Sequence, residues 1–132
     1  MIYDFSIIVS KNTSSSSKER TDLVLRHGVI HRLEVHFPTG CAGVVHLQLF
    51  RNLSQVYPSN EGGNFASDGH AISFKDSYPL DFAPFALTAY AWNTSVDYDH
   101  TVAVRLGILP KSALLEFVLP VTTYFMFKGG IT

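Results

Sequence analysis

The chain has 132 residues, 10 Lys and Arg against 11 Asp and Glu for a net charge of −1, and 46% hydrophobic against 16% charged residues. With no basic excess there is no face to neutralise phosphates, which excludes nucleic acid as a partner. The one cysteine, Cys41, excludes an intrachain disulfide scaffold.

The amino terminus, Met1-Ile2-Tyr3-Asp4-Phe5, places an acid where a secretion signal carries basic residues, so synthesis in the cytoplasm without export is expected. Ile2–Val9 alternates, with Tyr3, Phe5, Ile7 and Val9 on one face, and reads as a first strand. The Ser14–Ser17 run has nothing to bury. It reads as a hinge that makes residues 1–18 an arm and leaves 19–132 as one β-sandwich domain, with a long solvated turn as the alternative. Thr21–Arg26 and Val29–Phe37 form two strands around His27-Gly28 or one long strand with a glycine bulge. In the second segment His31, Leu33, Val35 and Phe37 share a face, and Arg32, Glu34 and His36 the other.

Pro38-Thr39-Gly40 signals a turn, after which Val45, Leu47 and Leu49 oppose His46, Gln48 and Phe50; the two segments read as a hairpin. Tyr57–Gly69 is the longest irregular stretch, the kind of loop that makes contacts. Ala71–Asp76 is a short strand, and Tyr78–Pro84, with two prolines, is extended and does not lie mid-sheet. Phe85, Leu87, Ala89 and Ala91 then line one strand face against Thr88, Tyr90 and Trp92. Thr101–Leu109 alternates most cleanly of all, and Pro110 stops it. Ala113–Phe127 is apolar but broken by Glu116 and Pro120. It is too short and too polar to span a membrane and reads as one or two further strands. About eight strands at this spacing predict an all-β, two-sheet antiparallel β-sandwich of jelly-roll or Greek-key type.

No pattern carries a reaction. His-x-His is absent, so a metal would need His31, His46 and His100 to converge from separate strands. Asn93, Ser95, Asp97 and Asp99 alternate oxygens that suit Ca²⁺ in loop 93–100, as do Ser59, Asn60, Glu61, Asn64 and Asp68. Turns favour the same residues for backbone reasons, and that reading is taken over a cofactor. Cys41 has no neighbouring base, and no Gly-x-Ser-x-Gly elbow occurs, so the chain is read as no enzyme. Aromatics are the remaining lead. Trp92 is the expected surface anchor, joined by Tyr98, Tyr57 and Phe65 and by the carboxylates Asp97 and Asp99 as contact residues. Such residues anchor protein interfaces and also stack on sugar rings.

The stretch Gly28–Gly43, with Trp92-Asn93-Thr94 and Tyr98-Asp99-His100-Thr101, resembles small jelly-roll structural proteins of phages. The resemblance implies a virion role as capsid, decoration, spike or fibre subunit, and supplies no catalytic residue. Expected partners are copies of the chain and another shell protein, engaged by a freed Met1–Ser10 strand and apolar contacts. The alternative is a carbohydrate-binding β-sandwich using loop aromatics.

Overall fold

A computed structural model describes residues 1–110, which form eight strands in two antiparallel four-stranded sheets. In chain order these are β1 (Ile2–Val9), β2 (Glu19–Val24), β3 (Gly28–His36), β4 (Val45–Arg51), β5 (Ser54–Tyr57), β6 (Ala71–Leu80), β7 (Ala86–Asn93) and β8 (His100–Leu109). The expected strands in Ala113–Phe127 lie outside the described residues.

The architecture is one long antiparallel ribbon bent at Asn52-Leu53, where Asn52 takes φ 56° to close a two-residue turn. β4 pairs with β5, β3 with β6, β2 with β7 and β1 with β8. Rolling this ribbon brings β8 against β3 and β7 against β4. The sheets are therefore ordered β1-β8-β3-β6 and β2-β7-β4-β5, the interleaved order of an eight-stranded jelly roll.

Period-two patterning explains why these segments pair this way round. Leu33, Val35, Val102, Val104, Leu106 and Ile108 from one sheet join Leu47, Leu49, Leu87 and Ala89 from the other in a single core, all fully buried. Each large side chain contributes about 1.5–3 kcal/mol by leaving water. The polar alternates face outward. On the first sheet they form a ladder in which Arg105 bridges Glu34 at 2.8 Å and Asp4 at 3.6 Å.

Two expectations are corrected. β3 and β4 lie in different sheets and form no hairpin; the intervening 37–44 loop carries the chain across, with Cys41 buried within it. His31 does not share a face with Leu33. Ile30 opposes Ile108 and Arg32 opposes Gly107, so His31 is the extra residue of a bulge. It turns outward over Gly107, where a Cβ would come within 2.6 Å of its Nε2. Tyr78-Pro79 does not lie mid-sheet, as expected: β6 carries it along the sheet edge, a position that tolerates a residue without an amide proton.

Met1–Ser10 is also held within its own chain, since β1 pairs with β8 along all eight residues. The serine run closes a turn, with the Ser17 amide donating to the Ser14 carbonyl at 2.9 Å. The amides of Asn12 and Thr13 donate to Ser95 and Asn93 carbonyls at 2.7 and 2.8 Å. Residues 10–18 thus form the solvated connection that carries the chain from one sheet to the other.

Candidate functional site

Four connections, 10–18, 37–44, 58–70 and 94–99, gather at one end of the roll. Lys11 donates its amide to Asp99, Thr94 to the Val44 carbonyl, and Gly40 to Asp68. Asp68 ties two of these loops together. Backbone amides of Ala42 and Gly40 hold its carboxyl below the ordinary value, and the fields of His70 and His100 add to this. The neighbouring Cys41 thiol is pushed upward, first by burial and then by the Asp68 charge, which leaves it a poor nucleophile.

The residues expected to make contacts are dispersed. Tyr98 is 70% exposed on the 94–99 loop, beside exposed Asp97 and Asp99. The Asp99 carboxylate accepts the Lys11 amide at 2.8 Å. Asn93 accepts the Ser95 amide at 2.9 Å and donates to the Val9 and Tyr98 carbonyls, so this loop spends its amide and carboxylate groups on its own backbone and on that of Val9 and Lys11. Tyr57 lies between the sheets, its hydroxyl donating to Asp76 at 2.6 Å. Burial, then that bond, raises its pKa strongly. Phe65 exchanges backbone hydrogen bonds with Leu47 and packs on Phe74, extending the sheet edge beyond β5.

Trp92 departs most from expectation. It stands on the outer face of its sheet yet is only 7% exposed. His46 stacks on its ring at 5.0 Å, and the Lys18 ammonium lies over it at 5.1 Å while bonding Gln48. The cover excludes it as a surface anchor in this arrangement. His31 lies on the outer face of one sheet and His46 on the outer face of the other, so the three histidines do not converge. Among the described residues, no three His, Cys, Asp or Glu side chains are grouped to hold a metal ion.

A different site emerges on the outer face of β2-β7-β4-β5. The register sets Arg20, Tyr90 and Gln48 in one row across the sheet, and Asp22, Thr88, Phe50 and Gln55 in the next. Phe50 meets Tyr90 edge-to-face at 5.1 Å, and both rings are partly open to solvent. Above them the β4–β5 turn presents Leu53, 96% exposed. Depressions of about 500 and 430 Å³ flank Leu53, and a smaller one lined by Phe50, Leu53 and Tyr90 links them into one trough. Gln48 and Gln55 build its wall by donating to the Gly63 carbonyl, which fastens the 58–63 loop to the sheet. Phe50 carried no expectation as a contact residue. The available signal was an aromatic residue on the polar side of each of two strands, Phe50 and Tyr90, a placement that burial does not call for.

No protein-family model matches the chain, and no curated protein matches it in sequence.

Proposed function

We propose that the chain is a non-enzymatic structural subunit of a phage-like virion, made in the host cytoplasm and assembled with copies of itself and another shell protein. The rolled, interleaved fold is used by viral shells and also by lectins, so it supports this reading by analogy alone. The observation that carries the proposal is the edge of β1. Met1 and Ile108 exchange both of their backbone hydrogen bonds. Antiparallel alternation then directs the amides of Tyr3, Phe5, Ile7 and Val9 to β8 and those of Ile2, Asp4, Ser6 and Ile8 to the opposite side. Among the described residues no strand pairs with that side.

Monomeric sheets blunt such edges with lysine, proline, bulges or a covering loop. β1 has no lysine, proline or bulge, and it presents Ile2 and Ile8 exposed on its outer face. Strand addition from a neighbouring subunit satisfies the open backbone groups and buries both isoleucines. Release of Met1–Ser10 as an exchanging arm would instead strip buried Ile7 and Val9 from the core, so edge pairing is the economical route.

Light scattering and electron microscopy of the purified chain test the proposal, with Ile8→Lys and Ser6→Pro as variants. A defined oligomer is expected for the parent, falling to the 14.6 kDa monomer in both variants with circular dichroism unchanged. A parent that stays monomeric at high concentration, alone and with its shell partner, overturns it.

A further inference from the structure

We infer that the trough on the outer face of β2-β7-β4-β5 binds a neutral oligosaccharide. This does not depend on the virion reading, because the trough and the β1 edge lie on different sheets.

The floor is aromatic and the walls are polar. Tyr90 and Phe50 offer ring surface at the centre, where the C–H face of a pyranose packs with favourable dispersion and little entropy cost. Hydroxyl and carboxylate groups stand around them: Thr88 on one side, and Ser54, Ser59 and Glu61 on the other. Tyr90 lines two of the three depressions, and its hydroxyl has no hydrogen-bond partner among the described residues. The span from β2 to β5 is about 14 Å, three inter-strand spacings, the length of a short oligosaccharide.

Charge decides between ligand classes. Arg20 is paired with Asp22 at 3.2 Å, Lys18 is occupied by Gln48 and Trp92, and Glu61 adds one negative charge. Two positive charges against two negative ones leave no net attraction for a polyanion such as nucleic acid. The polar walls equally disfavour a wholly apolar ligand, which would leave their groups without partners. A neutral polyhydroxyl chain with apolar ring faces satisfies both surfaces.

The fluorescence of Trp92, the chain's one tryptophan, supplies the readout, because its Lys18 cover lines the trough. Maltohexaose, cellohexaose, chitohexaose and mannohexaose are titrated in turn, with calorimetry in parallel. At least one is expected to give a saturable emission change. Tyr90→Ala and Phe50→Ala then weaken it by about tenfold, the scale of a lost aromatic contact, whereas Tyr98→Ala, on the 94–99 loop away from the trough, retains it within about twofold. Leu53→Ser, on an exposed turn, reports on the trough even if an aromatic variant fails to fold, and is also expected to weaken binding. No saturable response to any of the four sugars overturns the proposal, as does binding that survives all three trough substitutions. Light scattering on the same samples covers the remaining occupant. If Leu53→Ser dissolves an oligomer that the Ile8→Lys variant retains, the trough is an interface between copies and the proposal falls.

Discussion

Asp68 is one exposed carboxylate that fastens two loops, and its chemistry makes the fastening depend on acidity. Its amide partners favour the charged form, so its folded pKa lies below the ordinary 3.8. A depressed carboxyl contributes stability that is fully present above the unfolded value and is lost as pH falls through the folded one. The Gly40 amide resonance is therefore expected to titrate with a midpoint below 3.8 and to lose that transition in Asp68→Asn. A midpoint at or above the ordinary value would show that the Gly40 and Ala42 amides do not hold the carboxylate in solution. At this scale the sequence was least legible. Asp68 was visible as a loop oxygen, but which amides it would serve depends on loops 28 residues apart meeting at one end of the roll. Trp92 misled for a related reason: His46 covers it from the neighbouring strand and Lys18 from a separate connection, and strand alternation encodes neither.

Strands were the most legible elements, because a half-buried pleat requires alternation and these segments supply it. Their partners were not, because alternation says which face is buried and nothing about which strand lies alongside. Hence β3 and β4 looked like a hairpin, and the bulge at His31 stayed hidden until the registers on both sides of it were known. β1 allows a direct check of pairing direction. Proline at position 5 removes an amide that donates to β8 and leaves the facing carbonyl without a partner, a cost of about 1–3 kcal/mol. Proline at position 6 removes an amide on the open side, where edge strands accept it. Urea midpoints are expected to fall well below the parent for Phe5→Pro and to stay near it for Ser6→Pro. The reverse order would turn the amides of Tyr3, Phe5, Ile7 and Val9 to the open side and contradict the register on which the Ser6→Pro test of strand addition rests.

Across the whole molecule, the fold class follows from strand count and spacing, while the roll itself depends on contacts between distant parts of the chain. Pairing of β1 with β8 joins segments separated by most of the described sequence, and such non-local topologies fold in milliseconds to seconds. The local β4–β5 turn costs the least loop entropy to form, and the β1–β8 seam the most. Ile7→Val, which trims one buried methylene at that seam, is therefore expected to destabilise by about 0.5–1.5 kcal/mol and to act chiefly by speeding unfolding. A variant that instead slows refolding in stopped-flow would place the seam early in folding. The candidate site divides along the same line. Its aromatic residues are visible in single strands, but the trough exists only because β2, β7, β4 and β5 are brought side by side.

Cys41 closes the loop between β3 and β4 as a fully buried residue, and the sequence contains no other thiol. With its thiolate suppressed and its sulfur enclosed, a thiol reagent has nothing to attack until the 37–44 loop parts from the roll. The rate at which the intact protein takes up such a reagent is therefore a clock for that one opening. Asp68→Asn, which removes the carboxylate that accepts the Gly40 amide, would let it run faster at unchanged pH.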